Sequence, residues 1–252
     1  MLKVRIIPTL LYRDFGLVKG VRFDSRRAVG SAMQAIKVYN LRGVDELVFL
    51  DVTATLQERS PDLELVDELA DDCFMPLAVG GGVRTVDDVG RLLSVGADKV
   101  VMNTVLVEDP DVVRQSAERY GSQCVVASID VRRDGDGRPV AWTRSATVDT
   151  GRSPVDLARA AEQLGAGEIL LTSIDRDGTM EGYDLDVTRE VSRAVGIPVI
   201  ASGGAGNYDD LAAAVQQGEA SAVAAAAIFH FTQQTPMEAK HHLGGLGIPV
   251  RR

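Results

Sequence analysis

The chain has few of the residues that mark many protein classes. Its 252 residues include two cysteines, one tryptophan and three histidines, and aromatic residues make up 5%. Cys73 and Cys124 stand far apart with no metal-like spacing, which argues against a disulfide framework and a structural zinc site. They read as buried thiols of a reducing compartment, so a cytoplasmic location is expected. His230, His241 and His242 also lack zinc-like spacing, and no glycine fingerprint follows the first strand, so neither metal nor cofactor is expected. Basic residues are the minority, 27 against 36 acidic, giving a net charge of −9 and a pI of about 4.9. Duplex nucleic acid is therefore not an expected partner, although a local anion-binding pocket remains compatible with an acidic total. No apolar run approaches the roughly 20 residues that span a bilayer, and the first such run is short and followed by charge. Neither a membrane segment nor a signal peptide is expected.

What the chain does have is alternation. Short Val/Ile/Leu/Ala runs predict strands at Val4–Leu10, Glu46–Asp51, Pro76–Gly80, Lys99–Asn103, Cys124–Asp130, Glu168–Ser173, Pro198–Ser202 and Ala222–Ala226. Such continuous apolar runs suit parallel strands buried on both faces. Between them lie helical patterns such as "AVGSAMQAIKVYNLRG", "PDLELVDELADDC", "TVDDVGRLLSVG" and "SPVDLARAAEQLG", several opened by a capping residue (Thr85, Ser153) and closed by glycine. Eight such units predict one α/β domain over residues 1–252, a (β/α)₈ barrel. An internal repeat supports it: "MPLAVGGGVRTVDDVGRLLSVGADKVV" aligns with "IPVIASGGAGNYDDLAAAVQQGEASAV". A constant separation of 122 positions links Pro76 to Pro198, Asp87 to Asp209, Gly96 to Gly218 and Glu46 to Glu168. The chain thus reads as two half-barrels, about 1–122 and 123–252. "EASAVAAAAIFHF" reads as alanine-rich strand and loop.

In such barrels the chemistry sits at the C-terminal strand ends. Those ends carry Gly80-Gly81-Gly82, Asn103-Thr104, Asp177-Gly178-Thr179, Ser202-Gly203-Gly204-Ala205-Gly206 and Ala225-Ala226-Ala227. Small residues leave backbone N–H groups open to an anion. Two repeat-related clusters imply two phosphate cradles, one per half, and hence a ligand phosphorylated at both ends. Asp130 closes the fifth strand and is the candidate general acid or base; a loop-capping role is the structural alternative. Aligning "LLYRDFG" with "DVRRDGD" sets Leu11 opposite Asp130, where no proton transfer is available; Asp14 could replace the missing acid only if its loop folds inward. "RRDGDGRP" carries turn signals and predicts a hairpin within Val131–Thr150, with Trp142 either over the site or covering core.

The motifs "DELVFLD", "VGGGVR", "GADKVVMNT", "GSQCVV", "GAGEILLTSIDRDGT", "IASGGAG" and "FHF" resemble, over essentially the whole chain, the HisF family, the cyclase subunits of imidazole glycerol phosphate synthase. The resemblance implies a barrel of the ribulose-phosphate-binding type. It also implies a HisH-like glutaminase partner that sends ammonia through the barrel to a bis-phosphorylated aminoimidazole carboxamide ribonucleotide derivative, giving imidazole glycerol phosphate and an aminoimidazole carboxamide ribotide. Asp130 matches one of the family's two catalytic aspartates, and Leu11 occupies the position of the other. Lys19 matches a mobile-loop lysine. Gly81, Gly82, Asn103, Thr104, Asp177, Gly178, Gly203, Gly204, Ala226 and Ala227 are the implied phosphate and substrate positions, Ala227 standing where the family usually has serine. Arg5, Glu46, Lys99 and Glu168 match a salt-bridged ring that gates ammonia entry into a hollow bore, and Asp98 and Gln123 match partner-facing positions.

"RIIPTLL…GLVK" with "TPMEAKHHLGGLGIPVR" also resembles a HisF-like paralogous group of the WbuZ type, associated with amidation of surface sugars. An intact floor ring with one missing acid suits such a paralogue. A non-catalytic phosphate-binding scaffold that activates a glutaminase is the alternative from another class.

Overall fold

The computed structural model describes residues 3–14 and 16–251, with backbone alone for 25 and 26. Its first half runs β1 (Arg5–Arg13), β2 (Gly16–Val21), β3 (Asp24–Gly30), α1 (Ala32–Leu41), β4 (Leu47–Asp51), α2 (Leu63–Asp71), β5 (Leu77–Gly80), α3 (Val86–Ser94), β6 (Lys99–Met102), α4 (Thr104–Glu108) and α5 (Pro110–Tyr120). The second half runs β7 (Val125–Arg133), β8 (Pro139–Thr143), β9 (Val148–Asp149), α6 (Pro154–Gln163), β10 (Glu168–Ser173), α7 (Leu185–Ala194), β11 (Val199–Ser202), α8 (Tyr208–Gln216), β12 (Ala222–Ala225), α9 (Ala227–Phe231) and α10 (Pro236–Gly245).

Eight strands pair in parallel in the order β1-β4-β5-β6-β7-β10-β11-β12 and close back on β1. This is the (β/α)₈ barrel expected from the alternation. The predicted strands agree with the observed staves within three residues at every end. No helix among the described residues is long and apolar enough to cross a membrane.

Side-chain direction along β1 shows how the barrel is layered. Ile6, Leu10 and Tyr12 belong to the core between sheet and helices, whereas Ile7 belongs to a second core inside the bore. Two-residue alternation then sends Arg5, Ile7, Thr9 and Leu11 inward. The inner core contains Ile7, Val48, Ala78, Val101, Val126, Leu170, Ile200, Ala222 and Ala224, all at most 4% exposed. The expectation of a hollow bore is corrected here: inward side chains fill it, because branched residues at these positions reach the axis.

The repeat persists in three dimensions. Thr85 Oγ1 accepts from Asp88 N at 3.1 Å while Asp88 Oδ2 accepts from Thr85 N at 3.0 Å. At a separation of 122 positions, Asn207 Oδ1 accepts from Asp210 N at 3.0 Å and Asp210 Oδ2 from Asn207 N at 3.1 Å. Both capping boxes fix a helix start directly after a glycine turn. Thr85→Ala and Asn207→Ala are each expected to cost about 1 kcal/mol in chemical denaturation, with equal effects from the two halves.

Two stretches depart from the sequence reading. Residues 16–30 were expected as a loop leading into helix, but they form the antiparallel pair β2–β3 continuing from β1. Ala28–Gly30 therefore lie in a strand, and the helix begins at Ala32. The expected loop after Ala226 is the short helix α9. The hairpin predicted after Asp130 is present, as β7, β8 and β9 in antiparallel pairing.

Candidate active site

At the N-terminal ends of the staves, four charges form a closed ring. Arg5 Nη1 lies 2.6 Å from Glu46 Oε2 and 2.9 Å from Glu168 Oε1. Lys99 Nζ lies 2.9 Å from Glu46 Oε2 and 3.0 Å from Glu168 Oε2. Burial acts to lower the Arg5 pKa, but the two carboxylates more than offset it and hold the guanidinium above its ordinary range. Asp98 and Gln123 are exposed on the same face. Asp98 Oδ2 accepts from Leu77 N at 2.8 Å and Gln123 Nε2 donates to Tyr120 O at 3.2 Å. Leu41 and Phe74, in the segments that lead into β4 and β5, are each 85% exposed, and Asn40 bonds Asp72 O and Phe74 N.

The other end of the bore opens into a pocket of about 130 Å³. Its lining includes Asp130, Leu11, Lys19 and all ten of the glycine, alanine, asparagine, threonine and aspartate positions expected to hold phosphate. Asp14 is not among the lining residues. It sits at the turn between β1 and β2 with its side chain 52% exposed, since β1 runs on to Arg13 before the chain reverses. The structure therefore does not bring Asp14 to the site.

Asp130 is 8% exposed, and its only side-chain hydrogen bond among the described residues comes from Asn103 Nδ2, at 3.3 Å. Burial, with the nearby Asp177 charge adding to it, pushes its pKa up to about 7. Such a carboxyl holds or releases a proton readily at neutral pH, as a general acid or base requires. Asn103 Nδ2 also reaches Ser128 O at 3.2 Å and Trp142 O at 3.3 Å, which fixes the amide between two strands. Trp142 itself stacks under Arg132, 4.7 Å from guanidinium to ring centroid.

Two glycine turns flank Asp130. A Cβ on Gly81 would fall 2.3 Å from Asp51 O, and one on Gly203 would fall 2.6 Å from Ser173 O. Both pairs are related by the 122-residue repeat, and both glycines have positive φ, 110° and 87°. Only glycine fits such a close backbone approach. Lys19 is 3% exposed with Asp177 Oδ1 3.8 Å from its Nζ. His230 stands nearby; burial first, and the Lys19 charge second, lower its pKa to about 4, so it is neutral at physiological pH.

Several pocket residues escaped the sequence reading. Thr9, Ser128, Thr172, Ser145 and Thr55 all line the pocket. The hydroxyl of Thr9 is buried without a hydrogen-bond partner among the described residues. The inward alternation could have found Thr9, Ser128 and Thr172, but strands buried on both faces hide that period.

The sequence matches the family described as histidine biosynthesis protein over residues 5–235. That match and the closed parallel barrel fit a HisF-like protein. The chain belongs to the histidine biosynthesis protein family.

Proposed function

We propose that the protein is a HisF-type synthase subunit that receives ammonia from a HisH-like glutaminase at its floor and uses it at the mouth on a bis-phosphorylated, ribonucleotide-like substrate. Proteins of this family are typically isomerases or cyclases. The observation that carries the proposal is the coaxial arrangement of two features: a closed ring of four charges at one end of the bore, and at the other a pocket where one titrating carboxyl lies between two repeat-related glycine turns.

The exposed Leu41 and Phe74, in the segments that lead into β4 and β5, support a protein partner on that face. The packed inner layer suits passage of neutral NH₃ by small side-chain movements, since Ala78, Ala222 and Ala224 present little bulk. Leu11 sets this chain apart from the ordinary cyclase, which needs a second carboxyl there. The favoured reading is therefore a divergent paralogue that serves another amidation, such as that of a surface sugar.

The test is ammonia-dependent turnover of the family's bis-phosphorylated aminoimidazole carboxamide substrate by the wild type and by Leu11→Asp. Wild-type turnover is expected to be weak. If the pocket otherwise retains the cyclase arrangement, Leu11→Asp should raise the rate by about 10²-fold or more, the usual contribution of one positioned acid or base. No gain would show that the pocket is shaped for a different acceptor. Stimulation of a glutaminase with no ammonia incorporated into any acceptor would favour the scaffold reading, which Leu11 also suits.

A further inference from the structure

Three carboxylates line the mouth pocket, Asp51, Asp130 and Asp177, and the fold uses them differently. Asp51 Oδ1 accepts from Thr53 N and Thr53 Oγ1, both at 2.9 Å, and from Ala54 N at 3.0 Å, while its Oδ2 accepts from Arg59 Nη2 at 3.1 Å. That carboxylate is saturated and braces the loop after β4. Asp177 is equally buried, 8% exposed, yet among the described residues its carboxylate accepts no hydrogen bond. Its ion-pair partner is Lys19, with Nζ 3.8 Å from Oδ1, beyond hydrogen-bond reach. A buried carboxylate with unfilled acceptor sites carries a desolvation cost that its own fold does not offset.

The backbone, not the side chain, holds Asp177 in place. Asp177 N donates to Ser173 O at 2.9 Å, and Asp177 O accepts from Arg22 N at 2.8 Å, at the turn of the β2–β3 hairpin. Gly178 lets that hairpin approach so closely that a Cβ there would lie 2.1 Å from Gly20 O, and the same hairpin delivers Lys19. On the other side, β10 pairs with β7, with Thr172 opposite Asp130. Asp130 and Asp177 therefore enter one cavity from neighbouring staves. The charge of Asp177 reaches Asp130, where it adds to burial in holding the proton on that carboxyl. One protonated and one ionised carboxyl in a single pocket are an acid and a base.

We infer that Asp177 supplies the second carboxylate of the reaction, the one that Leu11 cannot, and acts as the base while Asp130 acts as the acid. The inference deepens the ammonia-using function proposed above and rests on it. When ammonia adds to a carbonyl carbon of the acceptor, the N–C bond forms and the carbonyl π pair moves to oxygen. That oxygen takes the proton of Asp130, and the nitrogen gives one of its protons to Asp177, leaving a carbinolamine. Transfer of the proton from Asp177 back to Asp130 restores both groups. Leu11 is then an apolar wall facing the pair.

The test places Asp177→Asn in two backgrounds, wild type and Leu11→Asp, and follows ammonia-dependent turnover of the family's bis-phosphorylated aminoimidazole carboxamide substrate. Asp177→Asn should lower kcat by about 10²-fold or more in the wild type. In the Leu11→Asp background, where a carboxylate again stands on β1, the loss should shrink to less than about 10-fold, because two groups that share one task are not additive. An equal loss in both backgrounds, or no loss in the wild type, would overturn the inference. If neither wild type nor Leu11→Asp turns over this substrate, the proposed function fails for it, and carbon NMR titration of the Asp130 carboxyl in the intact protein decides the inference. Lys19 and Asp51, with His230 behind Lys19, are the other titratable groups there and are unchanged in the variant. Asp177→Asn should then lower the Asp130 midpoint from about 7. An unchanged midpoint would show that the two carboxyls do not act on one another and would overturn the inference.

Discussion

Asp130→Asn is expected to lower ammonia-dependent turnover by about 10²- to 10⁴-fold while making the protein more stable above neutral pH. Both effects have one cause. The carboxyl is buried beside a second aspartate, and its pKa stands at about 7 instead of the ordinary carboxylate value. Below about pH 4 the group is protonated whether the chain is folded or not, so it costs nothing. Between there and about pH 7 the unfolded chain releases the proton and the folded one keeps it, so stability falls as pH rises. Above pH 7 the penalty is complete, roughly 4 kcal/mol from the size of the shift. Denaturation of wild type and Asp130→Asn at pH 4 and pH 8 should show the variant gaining between the two. The wild-type kcat/KM profile should carry an inflection near pH 7 that the variant lacks. Equal stability differences at both pH values would mean that the carboxyl is already ionised in the fold.

Glu46→Ala carries the second large effect. Glu46 accepts from both cations of the floor ring and is 3% exposed at its side chain. Removing it leaves Arg5 and Lys99 sharing Glu168 beneath an apolar layer, at an expected cost of about 3–5 kcal/mol. The loss should appear as a shifted urea midpoint with unchanged slope. A quadruple variant, Arg5→Leu, Glu46→Leu, Lys99→Met and Glu168→Leu, separates structural from functional roles. Replacing a whole buried ion cluster by hydrocarbon is often neutral or stabilising by about 1–4 kcal/mol. A stable quadruple variant that loses glutamine-dependent but not ammonia-dependent turnover would place the ring in nitrogen entry. A variant that fails to fold would make it part of the scaffold.

The barrel was legible because its staves are uninterrupted apolar runs and because the half-repeat holds one spacing through glycine, proline and capping positions alike. Gly81 and Gly203 were readable as turn glycines, and the inward place of Asp130 followed from where its apolar run ends, although β7 itself continues to Arg133. The β2–β3 hairpin was not legible. "GLVKGV" and "DSRRAVG" carry charge and glycine where a strand signal needs alternation, and their pairing depends on β1 running three residues past its expected end at Leu10. Ser145 was hidden for a related reason. Its turn uses arginine, serine and alanine in a backbone region that sequence reading assigns to glycine or asparagine, and the Glu108 contact that imposes it comes from 36 residues away. Asp14 failed in the opposite sense, a carboxylate at the right distance along the chain that the hairpin carries away from the mouth.

The nine hydrocarbon side chains between floor and mouth also act as an electrical insulator. Moving an ion through such a medium is prohibitive unless it sheds its charge first. Ammonium arriving below would have to leave its proton behind, since none of these nine side chains can accept or pass one. Protons exchanged by Asp130 would consequently enter and leave over the rim, so acidity at the two openings can be set independently.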